Sequence, residues 1–336
     1  MSRPPPDVTI LGAGIIGICC ALTLLERGLT VRIIDRLPPG EATSHGNAGV
    51  ISPYSVVPQS MPGVWKNVPR WLLDPKGPVK LRWRDLPKIL PWVIRFMANT
   101  RHDKVAEISG AMAFLMAGNV DAYRRYLKGT GEEGLIADAL NVTVFRDAPP
   151  DPQDLQFQLR DAMGCEIAFI GAGDLRDLEP DLSADYRFAA IFKGQARTVN
   201  PGRLCKVLAE KAAMTGVEMI RAEVIGIRPM DAEVEITTES GTLMAQKLIL
   251  AGGVWSGGLL RQLGIRLPLI AERGYHLDFA EPGVEIRNSI SDGSAKVIVS
   301  LMETGVRIAG TAEFAAVDAP PNYARADALA PLAKRL

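Results

Sequence analysis

VTILGAGIIGICCALTLLERGLTVRIIDR, residues 8 to 36, predicts a strand, a tight glycine turn, a helix and a second strand in that order. The apolar run Val8 to Leu11 is followed by Gly12, Gly14 and Gly17 at the spacing G-x-G-x-x-G. At this spacing the first glycine permits the turn, the second lets backbone approach a pyrophosphate, and the third allows the helix to pack closely on the strand. The helix N-terminus offers free N–H groups to the phosphates. The stretch therefore predicts a dinucleotide-binding βαβ unit.

The second strand of this unit ends in an acid. The helix is predicted from Ile15 to Glu26 and stops at Gly28, and the apolar run that follows closes with Asp35. An acid at this point is expected to hold an adenosine ribose through its hydroxyls, and its charge would repel the 2′-phosphate of NADP. Arg36, next to it, leaves that exclusion incomplete. The alternative is a glycine-rich turn in another kind of βαβ unit.

The composition excludes several classes of protein. The chain has 336 residues, 47% hydrophobic and 23% charged, which is enough for one large or two ordinary domains. Lys+Arg and Asp+Glu both total 38, so there is no basic excess that would indicate nucleic-acid binding. The four cysteines show neither C-x-x-C nor a zinc spacing, and no uncharged stretch is long enough to cross a bilayer. We therefore expect a reduced, cytoplasmic protein without a metal site.

A second motif follows the second strand. The segment RLPPGEATSHGNAGVISPYS, residues 36 to 55, is rich in Pro, Gly, Ser and Asn and is predicted to be a loop. Small residues are concentrated between Ala42 and Ser52, which suits backbone that lies close to a ligand. A solvated connector is the alternative.

The pair of motifs G-A-G-I-I-G and T-S-H-G-N-A-G-V-I-S resembles the D-amino-acid oxidase superfamily of FAD enzymes, and most of all the small subunit of D-amino-acid dehydrogenases. Because this loop follows the flavin in that family, the resemblance implies FAD rather than NAD. It also implies an α/β fold, with a Rossmann-like FAD-binding domain built on a parallel sheet and an α+β substrate domain with an antiparallel sheet. We expect residues 7–55 and 196–265 to form the first domain and residues 56–195 and 266–330 the second.

The motifs and the resemblance together predict the cofactor contacts, some of which come from later segments. The stretch L-I-L-A-G-G-V-W-S, residues 248 to 256, resembles the family's strand that ends in A-A-G-x-W-S, and the residue matching Val224 would lie against the adenine. The predicted contacts are Gly12, Ala13, Gly14, Ile15, Ile16, Gly17, Asp35, Arg36, Ser44, Asn47, Ala48, Gly49, Val224, Ala251, Gly252 and Trp255. Some related amine dehydrogenases tether FAD to a histidine in a W-H-A-A-G setting. This sequence lacks that setting around His45, so we expect non-covalent FAD.

The substrate side of the site is less strongly marked. The segment R-G-Y-H, residues 273 to 276, looks like the family's R-G-Y segment at the start of the substrate sheet. Arg273, Tyr275, His276 and Tyr54 are the candidate catalytic residues, because an amino acid needs a cation for its carboxylate and a hydrogen-bond partner for its amine. Strand alternation places Tyr275 and His276 on opposite faces, and ordinary strand residues are the alternative.

Two regions lie outside these motifs. Apolar residues at three- and four-residue steps predict one amphipathic helix from Glu107 to Lys128. The segment from Val56 to Thr100 is predicted to be irregular, with a short helix near Leu90 to Ala98. Its aromatic and basic residues leave open a peripheral contact with the inner face of a membrane, while core and interface anchoring is the alternative. These residues are Trp65, Trp71, Trp83, Trp92, Lys80, Arg82, Arg84 and Lys88.

Members of the resembled family continue past the position of Leu336. Their next segments carry an R-P-rich motif, whose arginine grips the substrate carboxylate, and a glycine-rich return that closes the nucleotide sheet. Neither is present in this sequence. We expect a piece of a longer protein, with a natural short form as the alternative.

The reaction that the resemblance implies is oxidation of a D-amino acid. A hydride passes from the α-carbon to the flavin, and the imino acid hydrolyses to a 2-oxo acid and ammonia. Two alternatives remain: an oxidase of glycine, sarcosine or hydroxyproline, and a flavin-binding subunit that is inactive without a partner chain or the missing C-terminal segment. The sequence does not choose among oxygen, a quinone and an electron-transfer partner as the electron acceptor.

Overall fold

The computed structural model describes residues 5–66, 68, 77, 79–81 and 83–336. It divides the chain into two compact units. The first comprises Met1–Gly46, Arg125–Glu133 and Pro201–Leu269, and the second comprises Asn47–Arg124, Gly134–Asn200 and Ile270–Leu336. The segment Arg125–Glu133 thus joins the first unit although it lies inside the predicted substrate domain. The domain boundaries expected from the sequence stay a prediction.

The described residues contain both strands and helices, several of which follow one another in runs of one kind. The strands are β1 (Val8–Leu11), β2 (Val31–Asp35), β3 (Val50–Ile51), β4 (Val79–Leu81), β5 (Ile136–Asp138), β6 (Asn141–Phe145), β7 (Ile167–Ile170), β8 (Phe188–Phe192), β9 (Ala196–Thr198), β10 (Glu218–Arg221), β11 (Val224–Pro229), β12 (Val234–Thr238), β13 (Gly241–Ala245), β14 (Leu248–Leu250), β15 (Ala271–Phe279), β16 (Ser289–Asp292), β17 (Val297–Met302) and β18 (Gly305–Ala315). The helices are α1 (Ile15–Glu26), α2 (Leu86–Ala98), α3 (His102–Met116), α4 (Asn119–Leu127), α5 (Leu155–Asp161), α6 (Ala172–Leu178), α7 (Pro201–Met214), α8 (Ser256–Gln262), α9 (Ala324–Asp327) and α10 (Ala330–Arg335).

The first unit is built on a four-stranded parallel sheet in the order β10–β2–β1–β14. Ile10 of β1 pairs in register with Ile33 of β2 on one side and with Ile249 of β14 on the other. All four residues of β1 are buried, as expected for a parallel strand at the centre of a sheet. The strand–turn–helix–strand order predicted from the glycine motif is confirmed, with α1 at the predicted bounds.

A three-stranded antiparallel sheet, β11–β12–β13, completes this unit. Ile227, Ile236 and Ala245 of this sheet share a buried apolar cluster with Leu11 and Ile34 of the parallel sheet. The cluster fixes the small sheet against the strands that carry the glycine turn and the acid.

The second unit contains an eight-stranded sheet in which β15–β18–β17–β16–β6–β8–β7 follow one another and β4 pairs with β18. Most pairings are antiparallel, as expected for the substrate domain, but β16 pairs with β6 and β4 pairs with β18 in parallel. Parallel neighbours need a long crossover connection. Here β6 and β16 are far apart in the sequence, so that the long intervening chain supplies it. A separate antiparallel sheet, β3–β9–β5, includes Val50 and Ile51, so this part of the segment predicted to be a loop is a short strand.

The prediction of one helix from Glu107 to Lys128 is wrong. The structure has two helices, α3 and α4, separated at Gly118, whose φ is +68°. The residue before it, Ala117, has an extended ψ of 129°. Glycine adopts a left-handed conformation without the steric cost of a side chain, and the helix can therefore end there. The apolar periodicity continues on both sides of Gly118, so it does not reveal the break. Leu115, which the pattern placed on the buried face, is 73% exposed.

The predicted membrane contact stays a prediction. Trp71, Arg82 and the side chain of Trp83 lie outside the described residues. Helix α2 exposes Leu90 and Ile94. Within the described ranges, no helix combines the length and apolarity that crossing a bilayer requires.

A cluster of three polar side chains joins the ends of three strands in the second unit. The hydroxyl of Tyr186 donates to Asp292 Oδ2 at 2.6 Å and accepts a hydrogen bond from Arg146, whose guanidinium also lies 4.3 Å from the tyrosine ring centroid. The other carboxylate oxygen of Asp292 accepts the backbone N–H groups of Ser294 and Ala295. Burial raises the pKa of Asp292, but these hydrogen bonds outweigh burial and hold it below its ordinary value.

Tyr186→Phe is expected to lower the free energy of unfolding by about 1.5–3 kcal/mol near neutral pH, because a buried hydrogen bond to a charged group is lost. The contribution of Asp292 is present above its unfolded pKa and is lost as the pH falls through its lower folded pKa. The difference between variant and wild type should therefore shrink in acid. Denaturant unfolding at several pH values measures it. Tyr323→Phe, at a side chain that is 71% exposed, is the control, and an equal loss in both variants would contradict the prediction.

Candidate functional site

The glycine turn leaves no room for side chains. Gly12 has a φ of +117°, and a Cβ on it would lie 2.4 Å from the carbonyl oxygen of Ala251. A Cβ on Gly17 would lie 1.9 Å from the carbonyl oxygen of Gly12. The N–H of Ala251 donates to Leu11 O at 2.8 Å, which holds the second motif beside the first. Two segments far apart in the sequence thus form one backbone cradle at the carboxyl ends of β1 and β14, where open α/β sheets bind ligands.

Asp35 is fixed at the same edge of the sheet. Its Oδ2 accepts the N–H of Ala13 at 2.6 Å, and its Oδ1 accepts the N–H of Leu37 at 2.9 Å. An ionised carboxylate has about four acceptor positions, so these two bonds orient the group and leave others for the hydroxyls of a ribose. The acid therefore lies where the sequence predicted it, against the glycine turn.

The first turn of α1 faces the start of the glycine-rich loop. Ser44 Oγ accepts the N–H of Ile15 at 3.0 Å, and a Cβ on Gly14 would lie 3.3 Å from the same oxygen. Ile16 is 64% exposed although it is apolar. The imidazole of His45 lies against the start of α7. A Cβ added to Gly202 would be only 2.6 Å from Nδ1 of His45.

A third group of predicted contacts meets at the other end of this edge. The Arg36 guanidinium carbon lies 5.2 Å from the ring centroid of Trp255, which is 42% exposed. Arg36 also pairs with Glu223 at 3.2 Å, immediately before Val224 at the start of β11. The first unit therefore brings together the glycine turn, Asp35, Arg36, Ser44, Val224, Ala251, Gly252 and Trp255.

The N-A-G part of the loop belongs to the second unit. Asn47 Oδ1 accepts the N–H of Gly49, and a Cβ on Gly49, whose φ is +74°, would lie 2.5 Å from the carbonyl oxygen of Thr198. Arg307 on β18 donates to the carbonyl oxygen of Asn47 at 3.0 Å and binds Asp278 through two nitrogens at 2.6 and 2.8 Å. No sequence motif indicated Arg307, because it holds the loop through a contact with a residue 260 positions away.

The R-G-Y segment holds another part of the chain in place. Tyr275 OH donates to the buried carboxylate of Glu313 at 2.5 Å and accepts the N–H of Asn322 at 2.8 Å. The Arg273 guanidinium reaches the same carboxylate at 3.5 Å and donates to the carbonyl oxygens of Ala319 and Pro320. Burial and the hydrogen bond to Glu313 raise the pKa of the Tyr275 hydroxyl. Both predicted catalytic residues therefore anchor the segment that precedes α9.

The other two substrate candidates are separated. Tyr54 lines a cavity of about 360 Å³ in the second unit, together with residues of the segment after β3, the α3–α4 junction and β8. His276 is half-buried on β15, in register with Ala309. The described lining of this cavity includes neither His276 nor the Arg273–Tyr275 pair. Contact of Tyr54, Arg273, Tyr275 and His276 with substrate stays a prediction.

The family of the chain follows from comparison with known proteins. A family model described as DAO, FAD dependent oxidoreductase, matches residues 7–336. The chain belongs to this family. It is an FAD-dependent oxidoreductase, and the predicted cofactor, α/β fold and enzyme class are confirmed. The tight backbone turn that only glycine permits at Gly12 and Gly17, the oriented Asp35 carboxylate and the N-terminus of α1 fit the pyrophosphate and ribose of FAD.

Two named relatives agree with this assignment, and a solved structure shares the fold. The chain is 34% identical over 326 residues to a D-amino-acid oxidase of Bradyrhizobium diazoefficiens, covering 96% of this chain and 77% of that protein. It is 28% identical over 324 residues to a D-amino acid dehydrogenase of Vibrio atlanticus, covering 93% and 77%. Glycine oxidase from Geobacillus kaustophilus has a TM-score of 0.68 at 17% identity, covering 98% of this chain and 78% of its own. That similarity shows the fold.

Gly17→Ala is expected to abolish FAD binding, because its Cβ would collide with the carbonyl oxygen of Gly12, a backbone atom that cannot move aside without opening the turn. Gly110→Ala is the matched control. Gly110 also lies within a helix, α3, has no positive φ and has nothing within 4 Å of its Cβ position. Flavin absorbance per polypeptide measures the outcome, and full flavin content in the Gly17 variant would contradict the cradle assignment.

Tyr275→Phe is expected to lower stability by about 1.5–3 kcal/mol, because the Glu313 carboxylate loses a buried donor. If Tyr275 acts only as this anchor, the KM for an amino acid should stay within about twofold of wild type. Denaturant unfolding and steady-state kinetics on the same preparation separate the two roles. A large rise in KM with unchanged stability would assign the hydroxyl to the substrate instead.

Proposed function

We propose that this DAO-family enzyme oxidises the CH–NH₂ group of D-amino acids to 2-oxo acids and ammonia. The observation that carries the proposal is the backbone cradle at Gly12, Gly17 and Ala251, which fits FAD, in a chain 34% identical to a D-amino-acid oxidase. Bound FAD supplies the hydride acceptor, and the imino acid product hydrolyses in water. We further propose that FAD is held without a covalent bond, with the lone loop histidine His45 resting against α7.

The protein's own task is to bind and orient an amino acid. A zwitterion needs a cation for its carboxylate, hydrogen-bond acceptors for its nitrogen and an apolar surface for its side chain. No strong side-chain base is required when the amine binds in its neutral form, and partly apolar surroundings favour that form. In this proposal Tyr54 contributes to the substrate site from the cavity, while Arg273 and Tyr275 hold the segment before α9.

Anaerobic addition of D-alanine to the purified, flavin-containing protein is expected to bleach the visible flavin absorbance, because the hydride reduces the flavin. L-alanine is the control for substrate stereochemistry, and glycine tests the alternative that the enzyme is a glycine oxidase. Air or a quinone analogue added afterwards shows which acceptor restores the colour. A flavin that glycine or L-alanine bleaches and D-alanine does not would contradict the proposed substrate class. If no amino acid bleaches it, the subunit hypothesis is favoured.

A further inference from the structure

The described wall of the cavity that Tyr54 lines carries one positive charge and no negative charge. Its described lining consists of aliphatic, aromatic, hydroxyl and amide side chains with a single ionisable cation, the guanidinium of Arg160, and it contains no Asp, Glu, Lys or His. A volume of about 360 Å³ is within the range of small-molecule sites. A half-open cavity whose described lining has one cation and no carboxylate favours an anion.

Arg160 lacks the carboxylate partner that several arginines of the second unit have. Arg146, Arg273 and Arg307 each have a carboxylate oxygen within 4 Å, at 3.8, 3.5 and 2.6 Å. The buried Arg197 and Arg325 have no described ion pair either, but neither belongs to the described lining of this cavity. Among the described residues, Arg160 forms no ion pair and donates only to the carbonyl oxygen of Gln156, at 3.0 Å within α5. Burial lowers the pKa of its guanidinium, and an arginine nevertheless stays charged in proteins.

The position of this cation is fixed by stacking. The guanidinium carbon of Arg160 lies 4.6 Å from the ring centroid of Phe192, which is itself part of the cavity wall. A stacked guanidinium is pre-oriented, so less conformational freedom is lost when it binds a carboxylate through two parallel hydrogen bonds. A half-buried cation without a counter-ion is costly, and a bound carboxylate would offset that cost.

Two side-chain amides of the cavity wall have oxygens that accept no hydrogen bond from the described residues. Asn119 Oδ1 and Gln195 Oε1 are buried and accept no hydrogen bond from any residue that the structure describes. Gln195 is 7% exposed. The terminal torsion of a glutamine is soft, so its amide can turn this oxygen towards a ligand nitrogen. Asn119 is held in place by donating its own N–H to the carbonyl oxygen of Ser52 at 3.0 Å.

We infer that this cavity binds an α-amino acid, with its carboxylate on Arg160, its amino group on the amide oxygens of Asn119 and Gln195, and its side chain on the apolar wall that includes Met116 and Ile298. That the ligand is an amino acid rests on the proposed function. The carboxylate site on Arg160 rests on the geometry alone, and the two parts can be tested separately.

The carboxylate site is tested with 3-phenylpropanoate and its uncharged amide, 3-phenylpropanamide, neither of which has an oxidisable C–N bond at the α-carbon. Calorimetric titration of the flavin-containing protein is expected to show that Arg160→Met weakens 3-phenylpropanoate about 30-fold and 3-phenylpropanamide less than about twofold. Arg187→Met is the matched control, since Arg187 lies 5.9 Å from the ring centroid of Phe188 and donates to a carbonyl oxygen, but does not line the cavity.

A second variant guards against a folding defect in Arg160→Met. Gln195→Glu keeps the shape of the side chain and adds a negative charge beside the site, so it should weaken the carboxylate about tenfold or more and spare the amide. Thermal unfolding of each variant confirms that it is folded. Equal binding of 3-phenylpropanoate by wild type and both variants, or no binding by the wild type, would overturn the inference.

Kinetics with D-phenylalanine then separate this inference from the proposed function. Arg160→Met should raise the KM at least about tenfold with a smaller change in kcat, because the carboxylate is bound alike in the ground and transition states. Normal oxidation by Arg160→Met would refute the role of Arg160 and leave the proposed function standing. Arg160-dependent binding of 3-phenylpropanoate by a protein that oxidises no D-amino acid would refute the proposed function and leave the carboxylate site standing.

Discussion

The first unit depends on a contact between two backbone segments that lie too close together to admit a side chain at Gly12. Gly12 and Ala251 approach so closely that a single added carbon would overlap the carbonyl group of Ala251, and Gly17 meets Gly12 in the same way. This contact places the end of β14 beside the end of β1, and it keeps the first turn of α1 against both. The cradle for the cofactor is therefore a property of the main chain, and the side chains around it, such as Asp35 and Ser44, are oriented by hydrogen bonds to that same main chain.

The second unit positions its segments by a different device, the buried carboxylate. Glu313 anchors the segment before α9 through Tyr275 and Arg273, and Asp292 joins three strand ends through Tyr186. At the N-A-G loop the buried charge is instead the guanidinium of Arg307, which pairs with the exposed Asp278. In each case a charge that would be costly if buried alone is matched by partners from distant parts of the sequence. Arg160 has no such carboxylate partner among the described residues, and its place in the cavity wall gives that cavity a preference for anions.

The motifs predicted the first unit well because its function uses backbone geometry that only glycine permits. Gly12, Gly14 and Gly17 can be recognised without any knowledge of their neighbours, and so can the strand–helix–strand order around them. The substrate side was less predictable. Arg273 and Tyr275 lie in a segment that resembles the family's and were predicted to bind substrate. In the structure their partners are Glu313 and the backbone near Asn322, which the spacing of residues along the sequence does not reveal. The break at Gly118 was missed because apolar spacing continues across it.

The sequence by itself determined the family, the cofactor and the βαβ unit, because spacing and glycine content are local properties that a single chain displays directly. The tertiary structure decided which distant residues meet. It brought Ala251 to Gly12, Arg307 to Asn47 and Arg160 to the face of Phe192. Such contacts depend on strand register and on helix docking across tens to hundreds of residues, and register is set by the burial of whole sheet faces rather than by any short motif.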